Sequence, residues 1–319
     1  MVCFNPMRPS LARERNPVTP QALARGETVG KRGLVFDSRK ALIEGSLLTV
    51  PCGLCLGCRL DRSQAWGIRC HHEAQMHESA VFLTLTYRDE DLPDDNSVCV
   101  NVSQKFMQDL RNALRARGIK VRFLMCGEYG SKKGRAHYHV IVFGYSFPDR
   151  VLDRYTNRGD PLYRSAELDG IWPYGFASIG EVSYESARYT ASYAMKQYRG
   201  EGAEEHYDRQ HPFTGEFHRV SPEFATMSRM PGIGQSWLAK YKSDVYPDDF
   251  VLVGGRKLKP PRFYDQQLSD AELEPVKRKR KVRAAAMSAV ERSKERRGCR
   301  EKLRGYKMEF WLDRSGGMF

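Results

Sequence analysis

The stretch that most constrains the fold is Ala136-His137-Tyr138-His139-Val140-Ile141-Val142-Phe143, two histidines one residue apart leading into an apolar β-type run. On a strand successive side chains alternate faces, so His137 and His139 share one face and Tyr138 takes the other. Two imidazoles side by side can form two corners of a metal site. Upstream, Val121 to Glu128 reads as a second strand, and Tyr129 to Arg135 as a polar, glycine-bearing turn. The two strands make a hairpin with a long loop, which brings Glu128 back beside the histidines. Two imidazoles and one carboxylate leave positions open for water and a substrate oxygen, and suit Mg²⁺ or Mn²⁺ with a phosphate.

Further along, Ser183 and Gly200 supply a good N-cap and a good C′ residue, so the segment between them reads as one helix. At roughly 100° per residue, Ala187, Ala191, Ala194 and Tyr198 form one stripe, with Tyr189, Tyr193 and Lys196 roughly opposite. The alanine stripe is the better packing surface, which leaves two phenols and an ammonium for another task. Tyrosine is a poor nucleophile at neutral pH, its pKa being about 10. It becomes useful when a metal polarises the electrophile and a nearby cation stabilises the phenolate. Lys196, one turn beyond Tyr193, supplies that cation. Phosphodiester cleavage through a phosphotyrosine intermediate needs this combination.

The cysteines make a separate cluster. Cys52, Cys55 and Cys58, spaced C-x₂-C-x₂-C, suit a soft metal that requires a fourth ligand. Leu60 to His77 reads as a helix, with Trp66, Cys70 and Ala74 along one stripe, which places Cys70 about 18 Å from Cys58. Cys3 meets no such obstacle and is preferred to Cys70 as the fourth ligand of a structural Zn²⁺. An iron–sulfur cluster is the runner-up, but no Cys-Pro follows the run as in bacterial ferredoxins. Cys99, Cys126 and Cys299 read as free thiols. Eight cysteines, three of them in a metal-like run, argue for a reducing cytoplasm.

His137-Tyr138-His139 matches the histidine-hydrophobe-histidine motif of the HUH endonucleases. Phe82-Leu83-Thr84-Leu85-Thr86-Tyr87 resembles their first motif. Tyr189 to Lys196 resembles the two-tyrosine third motif, Y-x-x-x-Y-x-x-K, of rolling-circle replication initiators. The chain is most similar to the initiators of the microviruses, single-stranded DNA bacteriophages, and to their gokushovirus branch. Met1-Val2-Cys3 with Pro6, Pro51 to Arg59, Cys126 to Gly130, and Met227 to Gly234 carry that likeness, over about residues 1–240. Gln197 stands where many relatives have a further lysine.

The resemblance implies a ferredoxin-like palm and a division of labour. His137 and His139 bind a divalent metal with Glu128 as third ligand. One of Tyr189 and Tyr193 attacks single-stranded DNA at the replication origin, leaving a 5′-phosphotyrosine and a 3′-OH that primes synthesis. The second tyrosine cuts the regenerated origin, and the released 3′-OH closes a circle. No G-x-x-x-x-G-K-[ST] motif is present, so unwinding falls to a host helicase and synthesis to a host polymerase.

Composition agrees. A chain of 319 residues, 41% hydrophobic, can bury one good core plus an appendage, and its net charge of +13 suits a phosphate-rich partner. No apolar run approaches the roughly 20 residues of a membrane helix, and Met1 to Phe4 begins no signal peptide. A bacterial host's cytoplasm, away from the membrane, is the expected location. The expected class is α+β: an antiparallel sheet with packed helices, a small N-terminal zinc-stapled element and a basic helical C-terminal tail.

Four segments follow: 1–80, loop-rich with the cysteine run and a helix; 81–200, the nuclease core; 201–265, its extension; and 266–319, the basic tail. Within the core, Ser103 to about Arg117 reads as a helix, Tyr155 to Asp169 as an insertion, and Phe176 to Gly180 as a short strand. Lys277 to Lys281 reads as a solvated helical face or a contact to DNA backbone. Arg229 and the Gly232/Gly234 turn are further places to line a DNA path. Two other classes compete: a non-catalytic, zinc-containing single-stranded DNA-binding protein, and a relaxase or transposase of a mobile element. The tyrosine helix weighs against the first of these and the cysteine segment against the second.

Overall fold

The chain divides into two units, Met1–Asp61 with Leu268–Lys307 and Arg62–Gln267 with Met308–Phe319. The computed structural model describes residues 3–17, 32–43, 48–130, 134–193, 203–210, 215, 217–286 and 293–315. In the first unit, β1 (Ser10–Arg15) and β2 (Arg32–Val35) pair as an antiparallel ribbon. The N-terminal segment therefore holds more regular structure than its scattered polar sequence predicts. Helix α1 (Leu56–Ala74) begins four residues earlier than expected, so Cys58 already lies in its first turn.

The second unit is built on a seven-stranded antiparallel sheet. Its strands are β3 (Ala80–Tyr87), β4 (Arg122–Tyr129), β5 (Ala136–Phe143), β6 (Val151–Tyr155), β7 (Pro161–Arg164), β8 (Gly175–Glu181) and, after the short ribbon of β9 (Asp208–Gln210) with β10 (Phe217–Arg219), β11 (Phe224–Met227). The order across the sheet is β11-β4-β5-β3-β8-β7-β6. A second small ribbon joins β12 (Val251–Val253) to β13 (Arg256–Leu258).

Period-two alternation gives the central strands two apolar faces. Leu83, Leu85, Met125, Tyr138, Val140, Val142 and Ile179 face one way, onto α2 (Val100–Arg115), which contributes Phe106, Leu110 and Leu114. The short α3 (Ala166–Ile171) adds Leu168 to the same cluster. On the opposite face Phe82, Leu124, Ile141 and Phe143 meet Cys70 of α1 and Ala187 of α4 (Tyr184–Tyr193). Burying a side chain of this size contributes about 1.5–3 kcal/mol, so a two-faced sheet is the main source of the unit's stability. After α5 (Ala203–Tyr207), the helices α6 (Gln235–Val245) and α7 (Arg262–Asp265) bring Trp237, Leu238 and Tyr264 into a further cluster around Ile68.

The segment from Tyr155 to Asp169 is part of the sheet and not an insertion. β6 and β7 form a hairpin closed by Thr156 and Asp160, and β7 joins β8 through Tyr163 opposite Ile179. Val-Leu-Asp-Arg-Tyr in β6 has no apolar face and is exposed throughout, so backbone pairing alone holds it, and periodicity cannot reveal such a strand. In the first unit, α8 (Asp270–Ala285) carries Lys277 to Lys281 and opens with a capping box between Ser269 and Glu272. The last helix is α9 (Lys294–Ser315). Among the described residues no helix is long and apolar enough to cross a membrane.

Candidate functional site

The register of three strands builds the site. Glu128 lies opposite His137 and Cys126 opposite His139 across β4–β5, while Thr86 and Thr84 oppose the same two histidines across β3–β5. All six side chains leave the sheet on the face that Ala187 covers, at its polar end. Glu128 Oε1 lies 2.7 Å from His137 Nε2 and 2.8 Å from His139 Nε2. The carboxylate and His139 are buried, while His137 keeps 17% of its side chain exposed.

Each imidazole is held from behind. His137 Nδ1 donates to the Arg135 carbonyl at 3.1 Å, which leaves Nε2 with its lone pair turned towards Glu128. His139 Nδ1 shares a hydrogen bond of 3.1 Å with Thr84 Oγ1. Phe82 stacks on the His139 ring at 5.3 Å. Burial alone would raise the Glu128 carboxyl, but hydrogen bonds from His137 and His139 outweigh it, so the net shift is downward and the group is held as carboxylate.

The donor set fits a hard divalent cation. One carboxylate oxygen and two imidazole nitrogens lie within 4.8 Å of one another. Glu128 Oε2 is buried with no hydrogen-bond partner among the described residues, a position a cation satisfies.

Tyr189 comes to this group from α4. Ser183 caps the helix by accepting the Ser186 N–H at 3.0 Å. Ala187, Thr190 and Ala191 are buried, and Tyr189 is half-buried, its ring centroid 5.8 Å from that of His139. Helix α1 sets the depth of α4. Ser63 Oγ donates to the Arg188 carbonyl at 2.8 Å, and a Cβ on Gly67 would lie only 2.9 Å from Arg188 Cβ. Burial, followed by the charge of Glu128, pushes the Tyr189 phenol above its ordinary value. Tyr193 closes α4 with its backbone described and its side chain not. Lys196 lies outside the described residues.

The cysteine group forms in the first unit. The four sulfurs of Cys3, Cys52, Cys55 and Cys58 lie within 4.8 Å of one another. Cys3 Sγ is 3.6 Å from Cys52 Sγ and 3.8 Å from Cys55 Sγ. A tetrahedral centre with zinc–sulfur bonds of about 2.3 Å has edges of about 3.8 Å, whereas a disulfide would need about 2.05 Å. Backbone N–H groups are aimed at the sulfurs: Phe4 at Cys55, Cys52 at Cys3, and Cys55 at Cys52, at 3.2–3.3 Å. Burial works against ionisation of Cys55, but the N–H groups of Cys58, Phe4 and Asn5 outweigh it and draw the thiol down to about 7. Cys70 is buried elsewhere, against the sheet.

Two features escape a reading of the sequence. Thr84 is visible only as one residue of an alternating strand, Phe82-Leu83-Thr84-Leu85-Thr86, until its partner strand is known. Glu73 is hidden in a helix. It is buried and pairs closely with Arg122 Nε, and its Oε2 accepts the Gly234 N–H at 2.6 Å. The turn through Gly232 and Gly234 is therefore packed down, and Arg229 and Met230 stay exposed.

Comparison with known proteins agrees with this arrangement. The family described as replication-associated protein ORF2 matches residues 80–198. Replication-associated protein ORF2 of Spiroplasma virus 4 is 30% identical over 279 residues, 84% of this chain and 80% of that protein. Replication-associated protein VP4 of Bdellovibrio phage phiMH2K is 31% identical over 238 residues, 72% of this chain and 71% of that protein. Replication-associated protein ORF4 of Chlamydia phage 1 is 35% identical over 154 residues, 47% of this chain and 38% of that protein. No solved structure matches the chain.

Proposed function

The chain belongs to the family of microvirus replication-associated proteins, the rolling-circle initiators of these phages, and from that premise we propose that it nicks and rejoins single-stranded DNA at the viral origin as an HUH endonuclease. The observation that carries this reading is the convergence of Glu128, His137 and His139 beside the Tyr189 ring. The central sheet serves as the palm. Mg²⁺ or Mn²⁺ held by these three residues would supply a Lewis acid for the scissile phosphate.

The tyrosines perform the transfer. A phenol of Tyr189 or Tyr193 attacks phosphorus, forming the Tyr–O–P bond and breaking the P–O3′ bond. The phenolic proton is lost and the departing oxygen becomes a 3′-OH. The other tyrosine, one helical turn away, cleaves the regenerated origin, and the new 3′-OH displaces the first tyrosine to close the circle. Glu128 and burial together hold Tyr189 protonated, so ionisation is favoured only where cationic charge faces the phenol. Lys196 contributes to that charge. Cys3, Cys52, Cys55 and Cys58 hold a structural Zn²⁺. The basic face of α8 adds non-specific contact to DNA backbone, and a host helicase and polymerase complete replication in the bacterial cytoplasm.

The test is covalent capture on labelled oligonucleotides carrying candidate origins, with and without Mn²⁺. Wild type, Tyr189→Phe, Tyr193→Phe, the double variant and His137→Ala are compared. The expected result is a Mn²⁺-dependent adduct that survives in each single tyrosine variant and is lost in the double variant and in His137→Ala. Binding of DNA by wild type without any adduct, across origins and metals, would leave a non-catalytic DNA-binding protein.

A further inference from the structure

Phe176 is 58% exposed although it lies in a central part of the sheet. Register places it in one row with the site: Glu128 opposite His137, His137 opposite Thr86, Thr86 opposite Phe176. Its ring therefore leaves the sheet on the face of the two histidines, two strand spacings or about 10 Å from His137. The backbone beneath it is tightly fixed. Thr86 Oγ1 donates to the Phe176 carbonyl at 3.1 Å. At Gly175 an added Cβ would meet the Thr86 carbonyl at 2.1 Å, so β8 approaches β3 more closely than any other residue permits.

Beside the ring is an open cleft of about 550 Å³, bordered by Thr86, Arg88, Asp89, Glu90 and Arg135. Its charges cancel: two arginines face two carboxylates, Arg135 pairs closely with Asp89, and Arg88 is 4.0 Å from Glu90 and 3.0 Å from Asp91. A phosphate subsite needs net positive charge, which this cleft lacks. An exposed aromatic plane with hydrogen-bonding groups at its edge suits a neutral planar base instead.

We propose that Phe176 is the stacking platform for one base of the single strand, about one or two nucleotides from the phosphate at the histidine site. The inference rests on the reading that a single strand crosses this face, and it adds the residue that seats the strand. Phe176 touches no reacting atom in this arrangement. It is a positioning residue.

The experiment is fluorescence anisotropy of the full chain on the oligonucleotide that wild type binds best, without added divalent metal, together with a set of single abasic substitutions along that oligonucleotide. Phe176→Ala is expected to weaken binding about 10-fold and Phe176→Trp to restore it. One abasic position is expected to weaken wild type by a similar factor and to leave Phe176→Ala unaffected. The proposal is overturned if Phe176→Ala binds like wild type, if its abasic profile matches that of wild type, or if wild type binds no single strand. A wild type that forms no adduct with Mn²⁺ yet keeps the abasic interplay would sink the nicking reading and support the stacking one.

Discussion

Glu128 concentrates the chemistry of the site in one side chain. It is buried, held as carboxylate by two imidazoles, and sits beside a phenol that its charge keeps protonated. Glu128→Gln preserves shape and removes the charge. Isothermal titration should show Mn²⁺ affinity falling about 100-fold or more, with adduct formation falling alongside. Thr84 acts through His139, whose ring it orients. Thr84→Val should lower Mn²⁺ affinity about 10-fold, while Thr84→Ser, which keeps the hydroxyl, stays near wild type. Equal behaviour of the valine and serine variants would show that the hydrogen bond has no role in the site.

At the scale of elements, α1 controls what reaches the sheet. Its Gly67 lets α4 approach until Arg188 is in contact, and α4 carries Tyr189. Gly67→Val should cost about 1–3 kcal/mol through overpacking and sharply reduce adduct formation, yet leave Mn²⁺ affinity unchanged, because all three ligands stand on β4 and β5. Loss of metal affinity in parallel would show that α4 supports the ligands too.

The same helix carries His72, stacked on Trp237 at 3.5 Å and hydrogen-bonded to the Tyr264 hydroxyl at 2.8 Å. Burial, with a smaller push from His71, draws this imidazole down to about 3. Its folded pKa is thus below its unfolded value, so its contribution to stability is intact above about pH 6.5 and is lost as pH falls towards 3. Denaturant titrations between pH 7 and pH 5 should show stability falling by up to about 1.4 kcal/mol per pH unit from this residue. His72→Phe should be less stable at pH 7, having lost a hydrogen bond, but flatter with pH. An unchanged slope would mean that His72 already takes up its proton in the folded state.

For the whole molecule, the cysteine group and the basic charge are the two properties to test. The four cysteines join residues 49 and more apart in sequence, so a metal there closes a long loop and stabilises the first unit. A strong thiol-compatible chelator should release about one Zn²⁺ per chain and lower the melting temperature, with Cys55→Ser behaving as the chelated protein does. Absence of zinc by elemental analysis of protein purified without chelator would rule this out. The net charge of +13 includes the run Lys277 to Lys281. Replacing those five residues with alanine should reduce the salt dependence of single-strand binding by about 0.7 in log–log slope for each phosphate no longer neutralised.

What the sequence determined by itself is local and periodic. Alternation in Ala136 to Phe143 puts His137 and His139 on one face, and helical spacing puts Ala187 and Ala191 on the stripe that packs. Covalent geometry sets both periods, so both can be read without neighbours. The tertiary structure decided everything that depends on which residues meet across the chain. Strand register sets Glu128 opposite His137 and places Phe176 at the end of that row, and a one-residue slip would have moved either to the other face. Chain closure chose Cys3 over Cys70 for the cysteine group, and backbone pairing alone made β6, with no apolar pattern to announce it. These outcomes follow from inter-strand hydrogen bonds and packing between distant segments, which local periodicity does not encode.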